Sequence, residues 1–88
     1  MSDQVKKILE NRQEEYGDPL PNFRMIGRIW GAMLNLTHDI PAYQVALMMD
    51  AFKSVRCIAN PDHLDSWNDK LGYTTHALDM VKFRNDSW

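Results

Sequence analysis

Only one cysteine, Cys57, occurs among the 88 residues, so no disulfide can form within the chain. A chain this short buries only about 60–65% of its unfolded surface, so it needs another source of stability, and oligomerisation is one. No apolar run approaches the ~20 residues that would cross a bilayer. No apolar segment opens the chain either, and with a single cysteine this points to a cytoplasmic, non-secreted protein. Positive charge is not in excess: ten Lys and Arg stand against twelve Asp and Glu, for a net charge of −2. That balance argues against non-specific binding to nucleic acid, which needs a basic surface. There is no Gly-rich phosphate loop, no GxSxG, no zinc-ligand spacing and no obvious histidine partner for Cys57, so no signature of nucleophilic catalysis is visible. Repeats, low-complexity segments and convincing strands are also missing. Aromatic and sulfur-containing side chains are plentiful instead. Three Trp, three Tyr, three Phe and six Met exceed what one small core uses, and some are expected to line an interface or a pocket.

The apolar residues recur at helical spacing. They predict an all-α fold, a compact four-helix bundle-like single domain over residues 1–88, with helices over about 2–16, 21–36, 41–59 and 63–83. In the first, Ser2 suits the N-cap, Gly17 the C-cap, and Val5, Ile8, Leu9, Arg12 and Tyr16 share a face. In the second, Pro21 suits the first helical position, and Phe23, Ile26, Trp30, Met33 and Leu34 form a stripe. Gly27 and Gly31 cost roughly 1 kcal/mol each in a helix interior, so a close helix–helix approach is expected there. The third starts near Asp39 and ends at Asn60-Pro61. It has one apolar face with Val45, Met48, Met49, Phe52 and Val55, and a second with Leu47, Ala51 and Ile58. A helix apolar on two sides is central to the fold or buried in an oligomer, so a homo-oligomer is expected. The fourth carries Leu64, Trp67, Leu71, Leu78 and Val81.

The densest polar run is HLDSWNDKLGY, residues 63–73. Asp50, Lys53 and Arg56 lie on one side of the helix before it. An antiparallel pairing across a short turn would bring Lys53 and Arg56 opposite Asp65 and Asp69. Two readings stand. One is a cross-helix salt-bridge network, which contributes little net stability. The other is a polar pocket in which Lys53 and Arg56 meet an anionic group while the aspartates aim the cations or hold a metal. Asp50, Asp65 and Asp69 are the candidate metal ligands, with His63 a possible addition; a lone imidazole at a helix start is more often a surface hydrogen-bonding residue. Mid-helix Gly72 fits either close packing or room for a ligand beside Tyr73. Arg12 is either a packed arginine whose head pairs with Asp18 or Asp50, or an arm for phosphate, which a planar guanidinium suits. Tyr16 and Trp30 fit the core or a stack against a base. His38 reads as a loop residue.

The succession RQEEYGD, NF, IW, VALMMDAFKSVR and HLDSWNDKLGY resembles a family of small, uncharacterised phage and prophage proteins over about residues 8–78. That resemblance implies a phage or prophage origin and a compact helical fold, with no established activity. A weaker one is to the all-α nucleoside triphosphate pyrophosphohydrolases of the MazG type, which hold magnesium with paired acidic motifs on successive helices. Here Lys53 stands where a second acid of the first pair would be, and Ser66 stands three residues before Asp69, so the acidic set is incomplete.

The residues then support three functions. The first is binding of a small phosphorylated ligand, a nucleotide or a nucleotide-derived host-defence signal, through Arg12, Tyr16, Trp30, Lys53, Arg56, His63, Asp65, Asp69 and Tyr73. It is a sequestering, anti-defence role that needs no cofactor. The second is a magnesium-dependent nucleotide pyrophosphohydrolase of the MazG-like kind. The third is a protein–protein inhibitor of a host factor.

Overall fold

A computed structural model of the chain describes residues 19–83. They form three α-helices and no strand: α1 Pro19–Met33, α2 Ala42–Ala59 and α3 Leu64–Lys82. The all-α expectation holds. The helix expected over 2–16 lies outside the described residues, so three packed helices stand where four were anticipated.

Helix α1 begins at Pro19, with Pro21 inside its first turn rather than at its first position. It stops where Asn35 takes a left-handed conformation, φ 55°. Asn35 N–H bonds the Ala32 carbonyl and Leu36 N–H bonds the Gly31 carbonyl, the paired bonds of a Schellman ending, which satisfy carbonyls the helix leaves open. The helix therefore ends three residues before the position expected from its apolar stripe.

The loop after α1 then runs back across it. Ile40 N–H donates to the Gly27 carbonyl at 3.1 Å. A Cβ at Gly27 would collide with the Ile40 carbonyl, and one at Gly31 would lie 2.9 Å from the His38 oxygen. The two glycines do mark a close approach, but the backbone they admit is mainly the 38–40 loop and not a second helix. His38 is a loop residue, as expected, with Nδ1 3.0 Å from the Asp39 carbonyl.

Helix α2 starts after Pro41 and ends at Asn60. Pro61 disfavours helical geometry at the residue before it, and Asn60 is extended accordingly, φ −144° and ψ 83°. The tight 60–63 turn sends α3 back antiparallel to α2. Small side chains are among the buried residues of both helices, Ala46 and Cys57 on α2 and Ser66, Gly72 and Ala77 on α3. Cys57 is buried and free, as expected. Phe23 anchors α1 to α3, with ring centroids 6.1 Å from those of both Tyr73 and His76.

Val45 of the expected stripes is in this core, and Phe23, Ile26, Trp30 and Met49 are half-buried, but most of the α2 and α3 stripe residues lie outside it. Val45 is the one large side chain fully buried among the described residues. Leu47, Met48, Phe52, Val55 and Ile58 of α2 face outward, as do Leu64, Trp67, Leu71 and Leu78 of α3. The packed faces carry small residues together with Val45, Met80 and the charged pairs, and most of the bulky apolar side chains fall on the other side of each helix.

Candidate functional site

Two ion pairs cross the α2–α3 contact. Lys53 Nζ lies 3.0 Å from Asp69 Oδ2, with both side chains about four-fifths covered. Lys70 Nζ donates to Asp50 Oδ1 at 2.7 Å. The hydroxyl of Thr74 donates to the other oxygen of Asp50. Burial pushes the Asp50 carboxyl up, but the bonds from Lys70 and Thr74 and the Lys70 charge outweigh it, and its pKa lies below the ordinary value. The salt-bridge reading therefore describes Lys53 and Asp69. Asp50 has a partner, Lys70, that the sequence did not single out.

These pairs divide the expected pocket. Lys53 turns into the helix contact and does not converge with Arg56. Asp65 is exposed in the first turn of α3. Among the described residues no three His, Cys, Asp or Glu side chains gather to hold a metal ion, so Asp50, Asp65 and Asp69 do not come together as ligands. Tyr73 packs its ring against Phe23, on α3 some ten residues and about 15 Å beyond His63. Trp30 is half-buried. Arg12 and Tyr16 lie outside the described residues.

Arg56 and His63 do share a space. A cleft of about 330 Å³ opens where α2 ends and α3 begins, lined by Arg56, Ala59, Asn60, His63 and Ser66. Its floor is held firmly. Asn60 N–H bonds the Arg56 carbonyl at 2.9 Å, and His63 N–H bonds the Asn60 carbonyl at 3.1 Å. Trp67 Nε1 reaches over the turn to the Pro61 carbonyl at 2.9 Å. His63 Nδ1 and the buried Ser66 hydroxyl share a hydrogen bond of 2.8 Å. Arg56 has no ion-pair partner among the described residues. The cleft thus offers a guanidinium, an imidazole and an amide, a set suited to a small anion.

A second cleft of about 230 Å³ lies beside the start of α2, bordered by Arg24, Arg28 and Asp39. Arg28 Nε is 3.6 Å from Asp39 Oδ2, an exposed pair. The first turn of α2 has no acidic residue and no side-chain cap. Arg24 and Arg28 were missed from the sequence, although their i, i+4 spacing already places them on one helix face.

The model of a family described as Domain of unknown function (DUF6378) matches residues 1–81. The chain belongs to the DUF6378 family. The match takes in both clefts, both buried ion pairs and all but the end of α3, so the turn bearing Arg56 and His63 is part of the family domain. No curated protein and no solved structure matches the chain.

Proposed function

We propose that this DUF6378 protein, of phage or prophage origin, binds a small phosphorylated ligand at the α2–α3 turn, and does so as a homo-oligomer. The observation that carries the reading is Arg56, a cation without an ion-pair partner among the described residues, lining one cleft with His63 and Asn60. A guanidinium presents fixed paired donors to phosphate oxygens, and the imidazole anchored to Ser66 lines the same cleft. The ligand class is a nucleotide or a nucleotide-derived host-defence signal, and its capture is sequestration. Arg56 and His63 are the binding residues. Lys53, Asp50 and Asp69 hold the helices that form the cleft.

Titration calorimetry with inorganic pyrophosphate and a panel of nucleotides tests this, together with mass spectrometry of small molecules that co-purify with the protein. Arg56→Glu is expected to lower affinity at least tenfold, about 1.4 kcal/mol, and His63→Ala to weaken it less. Lys53→Gln is expected to leave affinity unchanged. Equal binding by wild type and Arg56→Glu, or no phosphorylated compound bound at all, overturns the reading.

A further inference from the structure

Helix α2 is inverted relative to a surface helix. Its charged residues Asp50 and Lys53 point into the α3 contact, and its bulky apolar residues point away. Leu47 is 47% exposed, Met48 45%, Phe52 55%, Val55 66% and Ile58 82%. On a helical wheel these five fall on one arc together with Gln44, Ala51 and Ala59. The arc carries no charge, and Arg56 borders it at one edge. A soluble helix ordinarily places its polar face there.

We infer that this face is where a second copy of the chain docks, two α2 helices meeting antiparallel about a two-fold axis near Ala51 and Phe52. The five outward side chains expose on the order of 500 Å² of apolar surface, as large as the biggest patch of a typical monomer. Two copies apposed would bury on the order of 1,000 Å², the lower bound of a specific interface. An uncharged strip is self-compatible, since a two-fold contact brings a surface against itself and like charges would repel. The row Leu47, Ala51, Val55, Ala59 alternates large and small residues at i, i+4 spacing. Its alanines leave grooves that the row containing Met48 and Phe52 can enter.

The small core of the described residues gives the fold reason to use this surface. The outward strip of α3, Leu64, Trp67, Leu71 and Leu78, is less suited: Thr74, committed to Asp50, interrupts it. An amphipathic segment over 2–16 would cover one groove, whereas outward apolar side chains are spread over all three helices. The apposition also sets the partner's Gln44 beside Ala59, on the wall of the Arg56 cleft. The inference rests on the self-association part of the proposal above and stands whether or not the cleft binds phosphate.

Sedimentation velocity of wild type and of the double variant Phe52→Asp, Val55→Asp, with circular dichroism to check helicity, is the first test. The expected result is a dimer for wild type and a helical monomer for the variant. The second is oxidative cross-linking of Ala51→Cys, which places a thiol at the axis; wild type, whose Cys57 is buried on the opposite side, is the control. Ala51→Cys is expected to form a disulfide-linked dimer while Leu71→Cys does not. A dimer cross-linked through Leu71→Cys and not Ala51→Cys overturns the inference. So does a wild type that stays monomeric at high micromolar concentration; an unreactive thiol in the Ala51→Cys variant would then make residues 1–18 the cover.

Discussion

Asp50 sits on the inward side of α2, and both of its carboxylate oxygens are taken, one by Lys70 and one by Thr74. Protonation would cost it the ion pair, so its folded pKa lies below the unfolded one. A carboxylate shifted down stabilises the fold above its unfolded pKa, near 3.8, and loses that contribution as pH falls through the lower folded value. Urea unfolding of wild type and Asp50→Asn should therefore differ by about 2 kcal/mol at neutral pH, the scale of charge-assisted hydrogen bonds. The gap should narrow below pH ~4 as the wild-type carboxyl takes up its proton. A gap independent of pH would remove the ionised carboxylate as its cause. The Lys53–Asp69 pair was readable from helical phase. The Asp50–Lys70 pair was not, because Asp69 and Lys70 are 100° apart on the wheel and only the helix crossing decides which reaches which partner.

At the scale of elements, α1 and the loop behind it are held together through glycine. The Ile40 backbone occupies the place where a Gly27 side chain would begin, and that obstacle is backbone, which yields little. Gly27→Ala is expected to cost about 3 kcal/mol or more in chemical denaturation, as overpacking against a fixed neighbour does. Gly31→Ala, whose nearest obstacle is the His38 oxygen at 2.9 Å, should cost clearly less. The reverse order would mean that the loop moves aside easily. The spacing of these glycines signalled a close approach, but spacing does not name the neighbour. Helix ends show the same division. Asn60-Pro61 announced the end of α2 because proline acts on the residue before it. The end of α1 depends on Asn35 adopting a left-handed conformation, which asparagine tolerates but does not require.

For the whole molecule, the apolar side chains that dominate the pattern lie outside the described core. Under the proposed self-association, folding gains from association, because whatever binds only the native state stabilises it by mass action. The midpoint of thermal unfolding should rise with protein concentration in wild type and stay constant in the Phe52→Asp, Val55→Asp variant. Scanning calorimetry over a hundredfold concentration range reads both, and a concentration-independent wild-type midpoint would contradict self-association. The position of α3 relative to α2 also decides the candidate site. It folds Lys53 into a largely covered pair and leaves Arg56 and His63 facing a common cleft, although Lys53 and Arg56 are both cations and one helical turn apart in the sequence.

The sequence by itself determined the helical class, the approximate bounds of α2 and α3, the loop position of His38 and the burial of Cys57. These follow from periodicity, proline and side-chain chemistry, which act over a few residues. It also singled out residues 63–73, with Lys53 and Arg56 before them, as the densest polar run. Only the tertiary structure decided which face of each helix is inside. A helix with two apolar sides carries two nearly equivalent stripes, and the choice falls to the small residues that let backbones approach. Here the choice put Ala46, Cys57, Ser66 and Gly72 inside and left Phe52, Val55 and Ile58 on the outward side of α2, next to the cleft at the turn.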